Sequence, residues 1–278
     1  MQVAYLGPAG TYTEEALLAS APDGVEPVPY PTVYETVMAV QEGAVGRAVV
    51  PIENALEGGV AATLDALATE AHDVRITGEV IHPIHHCVVA AREVDLEEVR
   101  RVISHPQATA QCARFLRERL PRAERVVAPS TSEAVSSLRD EAEPAVALGS
   151  RLAAELYGCR VLAADVEDHP DNVTRFVWLA RAGEAVDPGP DAKTSLVFWG
   201  AGDEAPGWLL GVLREFADRG VNLTRIESRP RRIRLGHYMF FVDLEGATGD
   251  TAVDAALAGL RERGETIRVL GSYPAAPG

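Results

Sequence analysis

The chain has 278 residues, 47% hydrophobic and 24% charged, a composition that excludes disordered, collagen-like and coiled-coil chains; at roughly 100–200 residues per domain it predicts two domains. Its net charge of −15, from 26 basic and 41 acidic residues, argues against general nucleic-acid binding, which needs a basic face. No apolar run approaches the ~20 residues that span a bilayer, and Cys87, Cys112 and Cys159 are too few and too scattered for a disulfide framework.

The first residues, Met1 to Gly7, show no basic stretch followed by a long apolar one, so no signal peptide is expected. A cytoplasmic, reduced protein follows as the expectation, with no nucleic acid and no membrane as partner. Lys193 is the only lysine, which excludes a lysine Schiff base or a P-loop lysine earlier in the chain. An anionic substrate would have to be held by local positive groups against the overall charge.

In chain order, residues 2–7 predict a short strand, and 13–20 a helix with Thr13 as N-cap. Residues 25–29 and 47–51 predict strands, with a helix over 33–42 between them. Further strands are predicted over 75–90, 99–104, 125–128, 145–148, 160–162 and 173–180, and helices over 107–120, 131–139 and 150–157. Strands alternating with helices of this length indicate an α/β fold with a largely parallel sheet. The Pro-, Gly- and acid-rich residues 182–192 read as a linker. After it come a strand over 193–200, a helix over 206–219, strands over 222–229 and 237–244, a helix over 251–263 and a strand over 266–272. This is the ferredoxin-like βαββαβ order, which by itself specifies no function.

Four strand-to-helix junctions carry glycine or hydroxyl residues: Gly7 to Thr13, Ser104-His105-Pro106-Gln107, Ser130-Thr131-Ser132 and Gly149-Ser150. Such residues cap their own helices, but helix N-termini also bind carboxylate or phosphate. Four in one domain point to a cleft for a small anion. Pro51-Ile52-Glu53-Asn54 ahead of Gly58-Gly59 reads either as a binding edge or as an acidic loop. His82, His85, His86 and Cys87 resemble a metal cluster, yet alternation along one strand would put His82 and His86 on one face and His85 and Cys87 on the other, without standard ligand spacing. Thr174 and Phe176 would likewise face one side of their strand and Arg175 the other, unless a bulge intervenes. Threonine offers a hydroxyl donor and arginine a bidentate grip on carboxylate. Hydrolase, zinc-protease and dinucleotide motifs are missing.

Six motifs in order complete the picture: Gly7-Pro8-Ala9-Gly10-Thr11-Tyr12-Thr13, Pro51-Ile52-Glu53-Asn54, Pro83-Ile84-His85-His86, Ser104-His105-Pro106-Gln107, Thr174-Arg175-Phe176 and Glu227-Ser228-Arg229-Pro230. With them the chain resembles the prephenate dehydratases of phenylalanine biosynthesis over nearly its whole length. The resemblance implies a bilobed catalytic domain like type II periplasmic binding proteins (residues 1–181), a linker (182–192) and a C-terminal ACT regulatory domain (193–278). It implies decarboxylative dehydration of prephenate to phenylpyruvate without metal or organic cofactor. Thr174 would be the proton or hydrogen-bond donor to the departing hydroxyl, and Arg175 would support it or bind carboxylate. Thr11, Asn54, Ser104, Gln107 and Phe176 would line the substrate site. It further implies feedback by L-phenylalanine held between paired ACT modules, in a homodimer or homotetramer, with Gly207, Trp208, Leu209, Asn222, Leu223, Glu227 and Ser228 around the effector. Two departures stand out. Ala55 replaces the family's serine, and Trp208 replaces its much smaller alanine, so that Trp208 either fills part of the effector pocket, alters its ligand, or packs elsewhere. An arogenate dehydratase, a non-aromatising prephenate decarboxylase and a non-catalytic amino-acid sensor are the competing readings; the intact Thr174 argues against the last two.

Overall fold

A computed structural model describes residues 1–200, 202 and 205–277; Gly278, the expected end of the second domain, lies outside the described residues. The first lobe runs β1 (Gln2–Leu6), α1 (Tyr12–Ser20), β2 (Glu26–Tyr30), α2 (Val33–Gln41), β3 (Arg47–Asn54), β4 (Gly58–Gly59), α3 (Ala61–Thr69) and β5 (Val74–Pro83). The second runs β6 (Cys87–Ala90), β7 (Arg101–Ser104), α4 (Pro106–Gln111), α5 (Ala113–Arg119), β8 (Glu124–Val127), α6 (Thr131–Ser137), β9 (Ala145–Gly149), α7 (Arg151–Leu156) and β10 (Arg160–Ala163), before β11 (Val173–Arg181) returns to the first.

The predicted strand over 75–90 is therefore two strands in two sheets. The chain leaves the first sheet after Pro83, and the amides of Ile84 and His86 bond to the Asn172 carbonyl (2.9 Å) and the Glu167 carboxylate (2.8 Å) of the returning segment. The first sheet has the order β2-β1-β3-β11-β5 and the second β10-β6-β9-β7-β8. Neither is largely parallel as expected. β11 runs antiparallel to both β3 and β5, and β6 antiparallel to β9 and β10. The strands that lead out of and back into each lobe reverse direction, which periodicity within a strand does not reveal.

Capping decides the helix starts. Thr11, rather than Thr13, caps α1 and accepts from the Glu14 amide. Thr32 caps α2: its Oγ1 accepts from the Glu35 amide at 3.1 Å and donates to the Glu35 carboxylate at 2.8 Å. The predicted helix over 107–120 breaks at Cys112. There Asp168 enters from the return segment: its amide donates to the Gln111 carbonyl (2.7 Å), and its carboxylate accepts from the Arg114 amide (3.1 Å). Those backbone groups would otherwise serve the helix ladder.

The C-terminal unit is β12 (Ala192–Trp199), α8 (Trp208–Ala217), β13 (Leu223–Pro230), β14 (Tyr238–Glu245), α9 (Thr251–Glu262) and β15 (Thr266–Pro274), with sheet order β13-β14-β12-β15, all antiparallel. Its helices cover one face through Leu196, Phe198, Val212, Phe216 and Leu260. The other face lies on the first lobe: Val197, Met239, Phe241, Leu270 and Tyr273 share a single core with Val37, Leu67 and Ile76. Gly271 permits this approach, because a side chain there would collide with the Ile76 carbonyl.

Candidate active site

A cleft of about 260 Å³ opens between the lobes. Thr174, Asn54, Thr11, Gln107 and Phe176 line it. Thr174 and Asn54 face each other across β11 and β3, where Asn54 Nδ2 donates to Thr174 Oγ1 at 2.9 Å. The same amide reaches Asn172 Oδ1 at 2.9 Å, while Asn54 Oδ1 accepts the Leu56 and Glu57 amides (3.0 and 3.1 Å). A shift of register against β11 at Ile52 puts Pro51 and Asn54 on the same side. Among the described residues, no acceptor takes the Thr174 hydroxyl proton, so it is left for a ligand.

Two expected site residues are elsewhere. Ser104 is fully buried, and its hydroxyl donates to the Leu148 carbonyl at 3.0 Å; strand alternation turns it into the second lobe. Arg175 follows the same rule and leaves β11 on the face away from the cleft. Its Nη2 donates to Asp243 Oδ2 of the C-terminal unit at 2.5 Å. Burial opposes its charge, but the carboxylates of Asp243 and Glu79 outweigh burial and hold the guanidinium protonated. Among the described residues, the cleft lining has no arginine or lysine.

Tyr12, His86, Gln111 and Asn172 add a hydrogen-bonded group to the cleft lining. Tyr12 OH lies 2.8 Å from His86 Nδ1, and His86 Nε2 lies 3.0 Å from Gln111 Oε1, which also accepts from Asn172 Nδ2 at 3.2 Å. Tyr12 OH also donates to the His85 carbonyl at 2.8 Å, which ties the group to the crossing between the lobes. Burial lowers the His86 pKa, against the opposing pull of Gln111 and the Glu167 charge. Gln111 Nε2 is a buried donor without a partner among the described residues. The one signal available for Gln111 was its position one helical turn after Gln107.

The histidines do not alternate along one strand. His82 pairs with Glu15 at 3.1 Å, while His85 and His86 lie in the crossing between lobes. His85 Nδ1 bonds to Glu167 at 2.8 Å, with Asp165 at 3.7 Å, and these three offer ligand atoms within 4.8 Å of one another. Burial would raise the Glu167 pKa, but hydrogen bonds from His85 and the His86 amide outweigh it and keep the carboxylate ionised. The group fastens the outgoing crossing to the return crossing.

The glycine-rich loop after β1 reaches the second lobe. Ser150 Oγ and Tyr157 OH donate to the Gly10 and Ala9 carbonyls, both at 3.0 Å, and Ser132 also bonds to Ala9. Gly10 has φ +87°, and a side chain would strike Ser132 and Ala153. This docking aims the N-terminus of α1 at the cleft, beside those of α4 and α6, whose flanking residues His105, Ser130 and Thr131 line it. Helix N-termini are thus the positive ends beside the cleft, with Glu14 and Glu15 in the first turn of α1 and Glu133 in that of α6.

The expected effector residues are divided. Gly207, Trp208 and Leu209 border a cavity of about 210 Å³ at the start of α8. Trp208 packs inward between Phe198 and Phe240, with Nε1 donating to Glu265 at 2.7 Å. Leu223 packs against the core of the C-terminal unit, and Asn222 and Ser228 are exposed. Glu227 turns to the first lobe, pairs with Arg225 and covers Gly59. Within one chain these residues do not form one site.

Comparison with known proteins places the chain. The prephenate dehydratase family model matches residues 3–184, and the ACT domain model matches 194–262. Arogenate dehydratase/prephenate dehydratase 2 of Arabidopsis thaliana is 40% identical over 99% of this chain and 73% of the relative. The crystal structure of prephenate dehydratase from Arthrobacter aurescens, in complex with L-Phe, superposes with a TM-score of 0.90 at 40% identity, covering 99% of this chain and 90% of that one. GqqA, a quorum-quenching acylase, superposes at 0.88 with 32% identity, covering 100% and 99%. No helix among the described residues is long and apolar enough to cross a membrane. With its α/β catalytic lobes and appended ACT domain, the chain belongs to the prephenate dehydratase family.

Proposed function

We propose that this chain converts prephenate to phenylpyruvate, and that the Asn54–Thr174 pair carries the chemistry. The ring-bound carboxylate leaves as CO2, the electrons of that carbon–carbon bond enter the ring, and the ring hydroxyl departs with a proton as water. Overall one proton is taken up per turnover. Aromatisation drives the reaction, so the enzyme's task is to stabilise the departing oxygen. Asn54 donates to Thr174 Oγ1 at 2.9 Å, which polarises the hydroxyl and strengthens its own donation into the cleft. A threonine hydroxyl is a weak acid, so electrostatic stabilisation of the leaving oxygen is the larger part of its effect. The N-termini of α1, α4 and α6 face the substrate carboxylates.

The acylase relative suggests a second chemistry, but the Thr174 hydroxyl here is bonded to an amide, which has no base strength to activate it as a nucleophile. In our reading residues 1–181 form the catalytic domain and 193–278 the regulatory one. L-Phenylalanine acts as effector at the ACT domain, in a cytoplasmic homodimer or homotetramer.

The test is turnover of prephenate by purified protein, following phenylpyruvate, with arogenate in parallel. Phenylpyruvate from the wild type and its near loss in Thr174→Ala support the reading. Loss of CO2 with the hydroxyl retained, or turnover of arogenate alone, overturns it.

A further inference from the structure

Thr174 and Arg175 are neighbours on β11, so their side chains leave on opposite faces of the sheet. The same holds for Asn54 and Glu53 on β3, where Glu53 stands opposite Arg175 in register. The hydrogen bond between Asn54 and Thr174 on the cleft face is thus backed by Glu53 and Arg175 on the other. From there the contacts run into the ACT sheet. Arg175 Nη2 donates to Asp243 of β14 at 2.5 Å, and Nη1 reaches Glu79 of β5 at 3.4 Å. Asp243 is steadied by Ser195 (2.5 Å), whose hydroxyl lies 2.6 Å from that of Tyr273. Glu53 Oε1 lies 3.4 Å from Arg225 Nε of β13, and Arg225 pairs with Glu227. Lys193 at the start of β12 donates to Glu79 at 2.6 Å. Each strand bearing half of the Asn54–Thr174 pair is therefore tied from behind to one ACT strand, β11 to β14 and β3 to β13.

We infer that Arg175 and Glu53 are positioning residues that transmit the placement of the ACT sheet to the Thr174 hydroxyl. Arg175 is 8% exposed, and a buried guanidinium cannot release its carboxylates and remain unpaired. A displacement of the ACT sheet must then drag Arg175 and Glu53, and with them the adjacent residues in the cleft. The cluster also has a second arrangement within reach. Arg175 Nε sits 3.4 Å from Glu53 Oε2 yet makes no hydrogen bond, and a small shift of either strand would complete one. The inference rests on the dehydratase reading and adds a route to it: a ligand engaging Glu227 competes for Arg225, and so for Glu53.

Asp243→Asn keeps the shape at Asp243 and removes its charge from Arg175. Arg225→Gln releases Glu53, and Arg225→Lys retains the charge. The full-length variants would be compared with wild type for kcat and KM on prephenate, for melting, and for amide hydrogen exchange in residues 47–54 and 173–181. We expect kcat to fall on the order of ten- to a hundredfold in Asp243→Asn and Arg225→Gln, the size of effect caused by small misplacements of a catalytic group. KM should stay within about twofold, Arg225→Lys should recover most of kcat, and exchange should quicken in these two segments but not in the second lobe. Arg225→Gln decides the matter if Asp243→Asn does not fold. Folded variants with wild-type kcat, or with unchanged exchange in β3 and β11, overturn the inference. If wild-type protein leaves prephenate untouched, the dehydratase reading fails while the exchange result still decides whether the ACT sheet holds the two strands.

Discussion

Asn54 and Thr174 stand 120 residues apart in the chain and meet side chain to side chain at 2.9 Å. Asn54 does two jobs there. Its oxygen caps the following turn, and its nitrogen serves Thr174 and Asn172. Asn54→Asp keeps the acceptor and removes the donor, and its carboxylate accepts the hydrogen bond that the Thr174 hydroxyl would otherwise give the substrate. It should lose about 10²–10³-fold in kcat, the range for a lost preorganised donor, and melt lower, because Asn172 Oδ1 and the Val173 carbonyl lose their donor. Circular dichroism with phenylpyruvate kinetics would check this.

Gln111 offers an unpaired N–H beside the cleft. A keto oxygen, as in prephenate, accepts such a bond; the ammonium of arogenate repels it. Gln111→Glu reverses that preference and places a negative charge near the substrate's carboxylates. The ratio of kcat/KM for prephenate over arogenate should fall roughly ten- to a hundredfold, as expected for a hydrogen bond involving charge. Assays with both substrates decide it.

His86 gives the fold a pH dependence. Burial holds its pKa below the ordinary value, whereas in the unfolded chain it titrates near 6.5. Below about pH 6.5 the unfolded state binds more protons, so stability is full above that pH and falls as pH drops toward the folded pKa. Melting temperatures from pH 8 to 5 should decline in the wild type, and the decline should be shallower in His86→Gln.

Gly271 lies against the Ile76 backbone at the contact between β15 and β5. Gly271→Ala forces the domains apart and should cost about 1–3 kcal/mol, as overpacking does. A lower Tm and faster proteolysis within residues 182–191 would show it.

Trp208 belongs to the ACT core, and its indole nitrogen donates to Glu265 Oε1. Trp208→Ala should cost about 3–5 kcal/mol, read as a lower urea midpoint. If Trp208 only filled the effector cavity, its removal would leave stability unchanged.

Much of this was legible in the sequence because it depends on local rules. Thr32 and Glu35 cap a helix through neighbours three residues apart, alternation on β11 separates Thr174 from Arg175, and the six ordered motifs carry the family. The sequence by itself determined the two domains, the βαββαβ order and the opposite faces taken by Thr174 and Arg175. Tertiary structure decided what lies beyond those rules. Pro83 ends one strand and Asp168 breaks a helix because a segment distant in sequence competes for their backbone hydrogen bonds. Ser104 fills a core, and Arg175 meets Asp243, 68 residues away, instead of substrate. Alternation tells which face a side chain leaves, but only the packing of one sheet on another tells what it finds there.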